Sequence, residues 1–246
     1  EITVLFQDTL DHRVSKKCKQ LGFNVIELEH GKTYEIGKDF KVICKPYLLY
    51  DSWLYLEIEN FKILNLNDCG VDSVTQANYI HNQIGDVDLL LTQFGYAAHI
   101  GDPDDKKLRK MASEEKLDRI KIQTQVFHTK YIIPFASFVR FSHVDNNYMN
   151  DEMNTISSVE EYIINNTKST PIILYPGDKW IISENHENTN AIKSYQNDLS
   201  NNNILFDKSP QIPITQLQIG AKKYLERIHD KNNWTFVYLL HKINFF

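Results

Sequence analysis

Residues 51–69 read Asp51-Ser-Trp-Leu-Tyr-Leu-Glu-Ile-Glu-Asn-Phe-Lys-Ile-Leu-Asn-Leu-Asn-Asp-Cys69. Ser52–Ile58 and Phe61–Asn65 are rich in apolar and β-favouring residues. Glu59-Asn60 between them has the length of a tight turn, so the stretch predicts a β-hairpin. Its second strand runs out into Asn65, Asn67 and Asp68, and there the pattern changes. Asp72–Ile84 predicts a helix and Val87–Thr92 a buried strand. Residues 103–125 predict a helix with Leu108, Met111, Ala112 and Leu117 on one side. The charge-dense stretch Asp102–Lys121 reads as a solvated face. Tyr131–Phe135 is a further apolar strand. Val159–Asn165 and Asn188–Leu199 predict helices, with Ile172–Tyr175 between them.

Ahead of the hairpin, Ile2–Phe6 predicts a strand. Asp11–Leu21 predicts a helix, because Val14, Cys18 and Leu21 recur at helical spacing opposite Lys16, Lys17 and Lys19. Gly22 is placed to stop it. Phe23–Leu28, Tyr34–Ile36 and Phe40–Cys44 then follow as short strands. At the far end, Ile219–Ile228 is an amphipathic helix and Trp234–Leu240 an apolar segment. Asn146–Asn154 and Asn197–Asn203 are polar loop candidates. Strands first, then alternating helix and strand, define a layered α/β fold. The expected division is a main domain over 1–205 and a helical or strand extension over 206–246.

The composition narrows the function classes. The chain has 246 residues, 42% hydrophobic, enough for one sizeable core and too apolar for a disordered chain. A formal net charge of −5 gives no nucleic-acid footprint. The three cysteines, Cys18, Cys44 and Cys69, form neither a disulfide framework nor a CxxC pair, which points to a reducing compartment, the cytoplasm. No apolar run approaches the ~20 residues of a membrane span.

Five strings begin where an apolar strand ends: Leu64–Cys69, Thr92–His99, Pro134–Phe138, His143–Asp151 and Tyr175–Asp178. Ligand sites in layered α/β folds gather at such ends. Asp68 can hold or bridge metal ions with its two oxygens. Its simpler reading is an Asx-turn. His143, with Asp145 two residues on, is a candidate ligand with an orienting carboxylate, against an ordinary loop histidine. Tyr148 and Asp151 are candidate substrate contacts or loop packing. Cys69 is a soft donor or a small buried neighbour. His99 and His128 carry weaker signals. Asp178 reads as a turn, and Trp180 as core or interface.

Taken together, the runs Asp51–Cys69, Val87–Asp105, Tyr131–His143 and Asn147–Asp151 resemble a branch of the metallo-β-lactamase fold superfamily. That branch holds Rieske-associated proteins and CMP-N-acetylneuraminate hydroxylase. The resemblance spans roughly residues 1–180. It implies an αββα sandwich, incomplete at its N-terminus, with a metal site at the edge of two facing sheets. Asp68 matches the strand-end aspartate that usually bridges the metals. His143 matches a histidine after the Pro-Phe-Ala segment, a candidate ligand or catalytic residue, with Tyr148 beside it as a second catalytic candidate. Tyr47 falls near where a further histidine ligand is usual.

The superfamily's main ligands lie in His-x-His-x-Asp-His. The nearest string is Gln7-Asp8-Thr9-Leu10-Asp11-His12, which keeps only the final Asp-His. The resemblance aligns Ile2–Phe6 with the strand after the metal loop, so the remaining ligands are expected upstream of Glu1. Two functions follow. One is a metal-dependent hydrolase or oxygenase, with zinc or iron, a small polar substrate and a Rieske-type redox partner. The other is a metal-free module that kept the fold and acts in binding or assembly. An open sheet edge left by missing strands would favour a homo-oligomer.

Overall fold

In the computed structural model of the protein, residues 2–47, 51–182, 184–200 and 210–242 are described. The chain divides into two compact units, Glu1–Leu205 and Phe206–Phe246.

The first unit opens with a parallel pair, β1 (Thr3–Gln7) and β2 (Asn24–Leu28), joined by α1 (Arg13–Gln20). Leu21 caps α1, and Gly22 follows at φ 88°, the left-handed geometry that glycine adopts without steric cost. Strands β3 (Thr33–Gly37), β4 (Phe40–Tyr47), β5 (Asp51–Ile58) and β6 (Phe61–Asn67) then form antiparallel neighbours. The β5–β6 hairpin closes at Ile58↔Phe61 with Glu59 at φ 55°, as its two-residue turn predicts. From β6 the sheet continues in parallel through β7 (Leu89–Thr92), β8 (Tyr131–Pro134) and β9 (Thr170–Pro171). The result is a seven-stranded mixed sheet in sequence order. Its parallel half is linked by α2 (Val74–Ile84), α3 (Lys106–Val126) and α4 (Ile156–Asn166), and α5 (Thr189–Ser200) follows β9. Asn201–Asn203, the end of one predicted loop, lie outside the described residues.

Alternation along the strands sorts the core into faces. Trp53, Tyr55, Leu64, Leu66, Leu90 and Ile132 point to one face, where Ala77, Ile80, Ile120, Val159, Ile163 and Ile192 of the helices cover them. Val42 and Cys44 point the other way, and Leu5, Ile26 and Leu28 of the small sheet pack there. Sheet therefore lies against sheet, with helices on the far side of the large one. Further along that second face, Leu89, Tyr131 and Ile172 are buried, but Phe61, Ile63, Leu91 and Ile133 are only partly so. Trp180 joins this cluster, its ring edge-on to Tyr131 at 5.1 Å.

Helix α3 departs from its predicted exposure. Leu108 and Met111 are exposed, and the face turned inward carries Arg109, Ser113, Ile120, Gln123 and Thr124. A buried polar face is tolerated because every member is bonded. Gln123 accepts from the Thr92 hydroxyl at 2.8 Å and donates to the Val71 carbonyl at 2.7 Å. Arg109 grips Asp151 with two nitrogens, at 2.7 and 2.8 Å, and donates to the carbonyls of Asp102 and Pro103.

In the second unit, α6 (Ile214–Lys231) and α7 (Trp234–Lys242) are both helices, so the apolar Trp234 segment is not a strand. Neither helix has a buried residue. Among the described residues, no helix is long and apolar enough to cross a membrane.

Candidate functional site

The ends of β6, β7 and β8 carry the strings singled out by sequence. At the end of β6 the pairing to β7 slips between Asn65 and Asn67, and Asn67 turns to φ 43°. Asparagine tolerates this region better than most residues. The Asn65 side chain accepts from the Asn67 amide at 3.0 Å. The Cys69 amide then closes a turn onto the Leu66 carbonyl at 2.7 Å. This turn holds Asp68 out at the surface.

The Asp68 carboxylate accepts from the Gln93 amide nitrogen at 2.5 Å, and the Gln93 carbonyl accepts from Lys116 Nζ at 3.3 Å. Burial lowers the Lys116 pKa, and the nearby Arg119 guanidinium adds to this. Glu115, Asp68 and Asp72 act in the opposite direction. Cys69 is buried, and burial pushes its thiol up to about 12, with the Asp51 charge adding to the shift. With no ion beside it, the thiol is neutral. Tyr47 is also buried and its phenol is raised, first by burial and then by Cys69, Asp72 and Tyr79.

Beyond β7, Phe94 and Gly95 donate their amides to the buried Ser137 hydroxyl, each at 3.0 Å. Ser137 follows Ala136, which leaves β8 at φ 57°. The loops after β7 and β8 are thus tied at one oxygen. Tyr96 adds a second tie, its hydroxyl donating to the Met149 carbonyl at 2.6 Å.

His143 sits in the loop after β8. Its Nδ1 accepts from the Asp145 amide at 3.2 Å and lies 3.4 Å from the Asp145 carboxylate. Tyr148, in a 3-10 turn over Asn147–Asn150, donates to the Gly101 carbonyl at 3.0 Å and meets His99 Nε2 at 3.2 Å. The Arg109 guanidinium lies over its ring, 5.0 Å from the centroid. Gly101 is required here, because an added Cβ would stand 2.6 Å from the Cβ of Asp105. Asp178 forms the turn its sequence predicts, accepting from the Tyr175 amide at 2.9 Å.

The contacts above do not join Asp68 to His143. Among the described residues, two groups of three His, Cys, Asp or Glu side chains bring their ligand atoms within 4.8 Å of one another. They are Asp8–His12–Glu27 and His81–Asp86–His128, and neither contains Asp68 or His143. The described partners of Asp68 are an amide donor and, through that amide, an ammonium, and these do not by themselves make a metal donor set. The string Gln7–His12 starts on the last residue of β1 and runs through the loop into α1. There His12 Nδ1 lies 2.6 Å from Glu27 and 3.5 Å from Asp8. Lys19 also holds Glu27, at 2.8 Å, and Lys19 first, then His12, keeps that carboxyl at about 2.

Sequence reasoning missed Gln93, Lys116 and Ser137 as parts of the site. Gln93 and Ser137 lay inside strings already quoted, so strand-end position was the available signal. Lys116 lay inside a run read as solvated and offered none.

No protein-family model and no curated protein matches the chain. Among solved structures it is similar to CmlA, a diiron β-hydroxylase from Streptomyces venezuelae, at 14% identity and TM-score 0.47, covering 69% of this chain and 38% of that one. A mutant of the CmlA β-hydroxylase gives 13% identity, TM-score 0.49, and 70% and 38% coverage. A protein provisionally assigned as a zinc-dependent hydrolase of the metallo-β-lactamase superfamily, from Thermotoga maritima, gives 17% identity, TM-score 0.35, and 65% and 69% coverage. The chain thus spans 38% of the length of CmlA. The class that the described fold defines is an α/β protein with two facing sheets.

Proposed function

We propose that this chain is a metallo-β-lactamase-type module that works without a metal at Asp68, binding a small polar molecule at the strand ends. The observation that carries the reading is the chain of contacts Asp68–Gln93–Lys116. A carboxylate in a metal site needs imidazole or carboxylate neighbours, and a cation beside it repels the ion. Here Asp68 instead anchors a hydrogen-bond network that places Lys116 near the strand ends. Titration of the chain and of Asp68→Asn with Zn2+ and Fe2+ tests this. The expected isotherms superimpose. A loss of affinity of about tenfold or more on Asp68→Asn returns Asp68 to the metal ligands.

A second reading, a metal-dependent hydrolase or oxygenase, is favoured by one observation. The string Gln7–His12 sits on a strand-to-helix loop, with His12 against two carboxylates. The substitutions Gln7→His and Thr9→His together complete His-x-His-x-Asp-His on that loop. A gain of one tightly held ion per chain supports the second reading, and an unchanged isotherm counts against it.

A further inference from the structure

His81, Asp86 and His128 lie at the opposite end of β7 from Asp68, and the network just described does not use them. His81 is in the last turn of α2, Asp86 in the link from α2 to β7, and His128 between α3 and β8. One carboxylate oxygen, Asp86 Oδ1, stands 2.7 Å from His81 Nε2 and 2.8 Å from His128 Nδ1. The two rings meet edge-on, with centroids 5.7 Å apart.

The backbone fixes this arrangement. The Gly85 amide donates to the His81 carbonyl at 2.7 Å, and the Val87 amide to the Phe127 carbonyl at 3.1 Å. Each of the three residues thus takes part in a backbone hydrogen bond or adjoins a residue that does. The two bonds tie α2, the link and the loop before β8 to one another. His128 holds φ 51°, a conformation that costs free energy and persists where the surroundings enforce it. The His81 ring also packs near Phe127, at 6.3 Å between centroids. Side chains on such a frame lose little freedom when they bind an ion.

We propose that His81, Asp86 and His128 form a binding site for a borderline divalent transition-metal ion of the Zn2+ type. Two imidazole nitrogens and one carboxylate oxygen, with water in the fourth position, are a zinc-type donor set. Around a tetrahedral ion the ligand atoms lie about 3.3 Å apart. The hydrogen bonds at 2.7 and 2.8 Å need to open by only about half an ångström to reach that spacing. Each ring then carries its proton on the nitrogen away from the ion. Asp86 and His128 are largely exposed and His81 partly so, which leaves the ion a path from solvent. A bound ion would clasp the end of α2 to the starts of β7 and β8. The second cluster, Asp8–His12–Glu27, makes a contrast. It offers one imidazole, and the Lys19 ammonium already occupies Glu27.

Calorimetric titration of the chelator-treated chain with Zn2+ tests the site. One ion per chain is expected, with a rise in melting temperature. His128→Asn suits the left-handed backbone, and its expected effect is an affinity loss of at least about tenfold. His81→Gln should do the same, while His12→Asn and Asp68→Asn leave the isotherm unchanged. Metal-free melting curves of each variant show whether it folds, and His128→Asn serves if His81→Gln does not. Absence of Zn2+ binding overturns the proposal, as does binding that His128→Asn leaves intact. Displacement of Zn2+ by equimolar Ca2+ overturns it too, since a hard cation prefers an all-oxygen set. A response to Asp68→Asn and not to His128→Asn would place the ion at the strand ends and overturn both this proposal and the metal-free reading of Asp68.

Discussion

Lys116 illustrates how a single side chain reports its surroundings. A lysine that packs against Gln93 and gives up water holds its proton less well than one in solvent. Its folded pKa lies below the ordinary 10.5, so the unfolded chain binds more protons between the two values. Stability therefore rises with pH through the window just below 10.5. Lys116→Met removes the desolvated charge and keeps the stem. The expected result is a melting temperature at neutral pH equal to or above that of the parent, with the alkaline rise abolished. A clear drop would mean that the ammonium, and not its stem, holds the site together. Arg109 is the opposite case. It is fully buried, yet the Asp151 carboxylate holds its charge in place, which raises the Arg109 pKa and lowers that of Asp151. The pair is 42 residues apart in sequence, so nothing local announces it.

Helix α2 carries the local signals that sequence reading depends on. Ser73 accepts from the Gln76 amide while the Gln76 side chain returns to the Ser73 amide, a capping box. Ser73→Ala should destabilise the first unit by about 1 kcal/mol in urea unfolding. A change below about 0.3 kcal/mol would show that tertiary packing alone holds the helix start. Elements with such marks were legible: the β5–β6 hairpin with its two-residue turn, α1 with Gly22 behind it, and α2. The face of α3 was not, because Arg109, Ser113 and Gln123 satisfy their polar groups with partners distant in sequence. The candidate site was legible in the same uneven way. Asp68 stands at the end of an apolar strand, and that position is written in the chain. His128 drew only a weak signal, since His81 and Asp86 reach it through the fold.

The first unit leaves surface that single strands cannot finish. Strands β3 and β9 are the edges of the large sheet, and β1 and β2 pair only with each other among the described residues. Beside them, Phe61, Ile63, Leu91 and Ile133 are partly buried on one face of the sheet. Unpaired edges and apolar faces both promote association. Light scattering of the isolated chain should give an apparent mass that grows with concentration. Ile63→Lys separates the causes: it abolishes growth driven by the face and leaves growth driven by the edges. A mass fixed at one chain at every concentration contradicts both.

The hydroxyl of Ser137, which takes the amides of Phe94 and Gly95, also sets a clock. An amide that is hydrogen-bonded and buried exchanges its hydrogen only when its segment opens. Two amides sharing one acceptor are both released when the segment carrying that hydroxyl moves away. In deuterated water, Phe94 and Gly95 should exchange slowly and at matched rates, and Ser137→Ala should quicken both together. The loops after β7 and β8 would then open as one body, on one timescale.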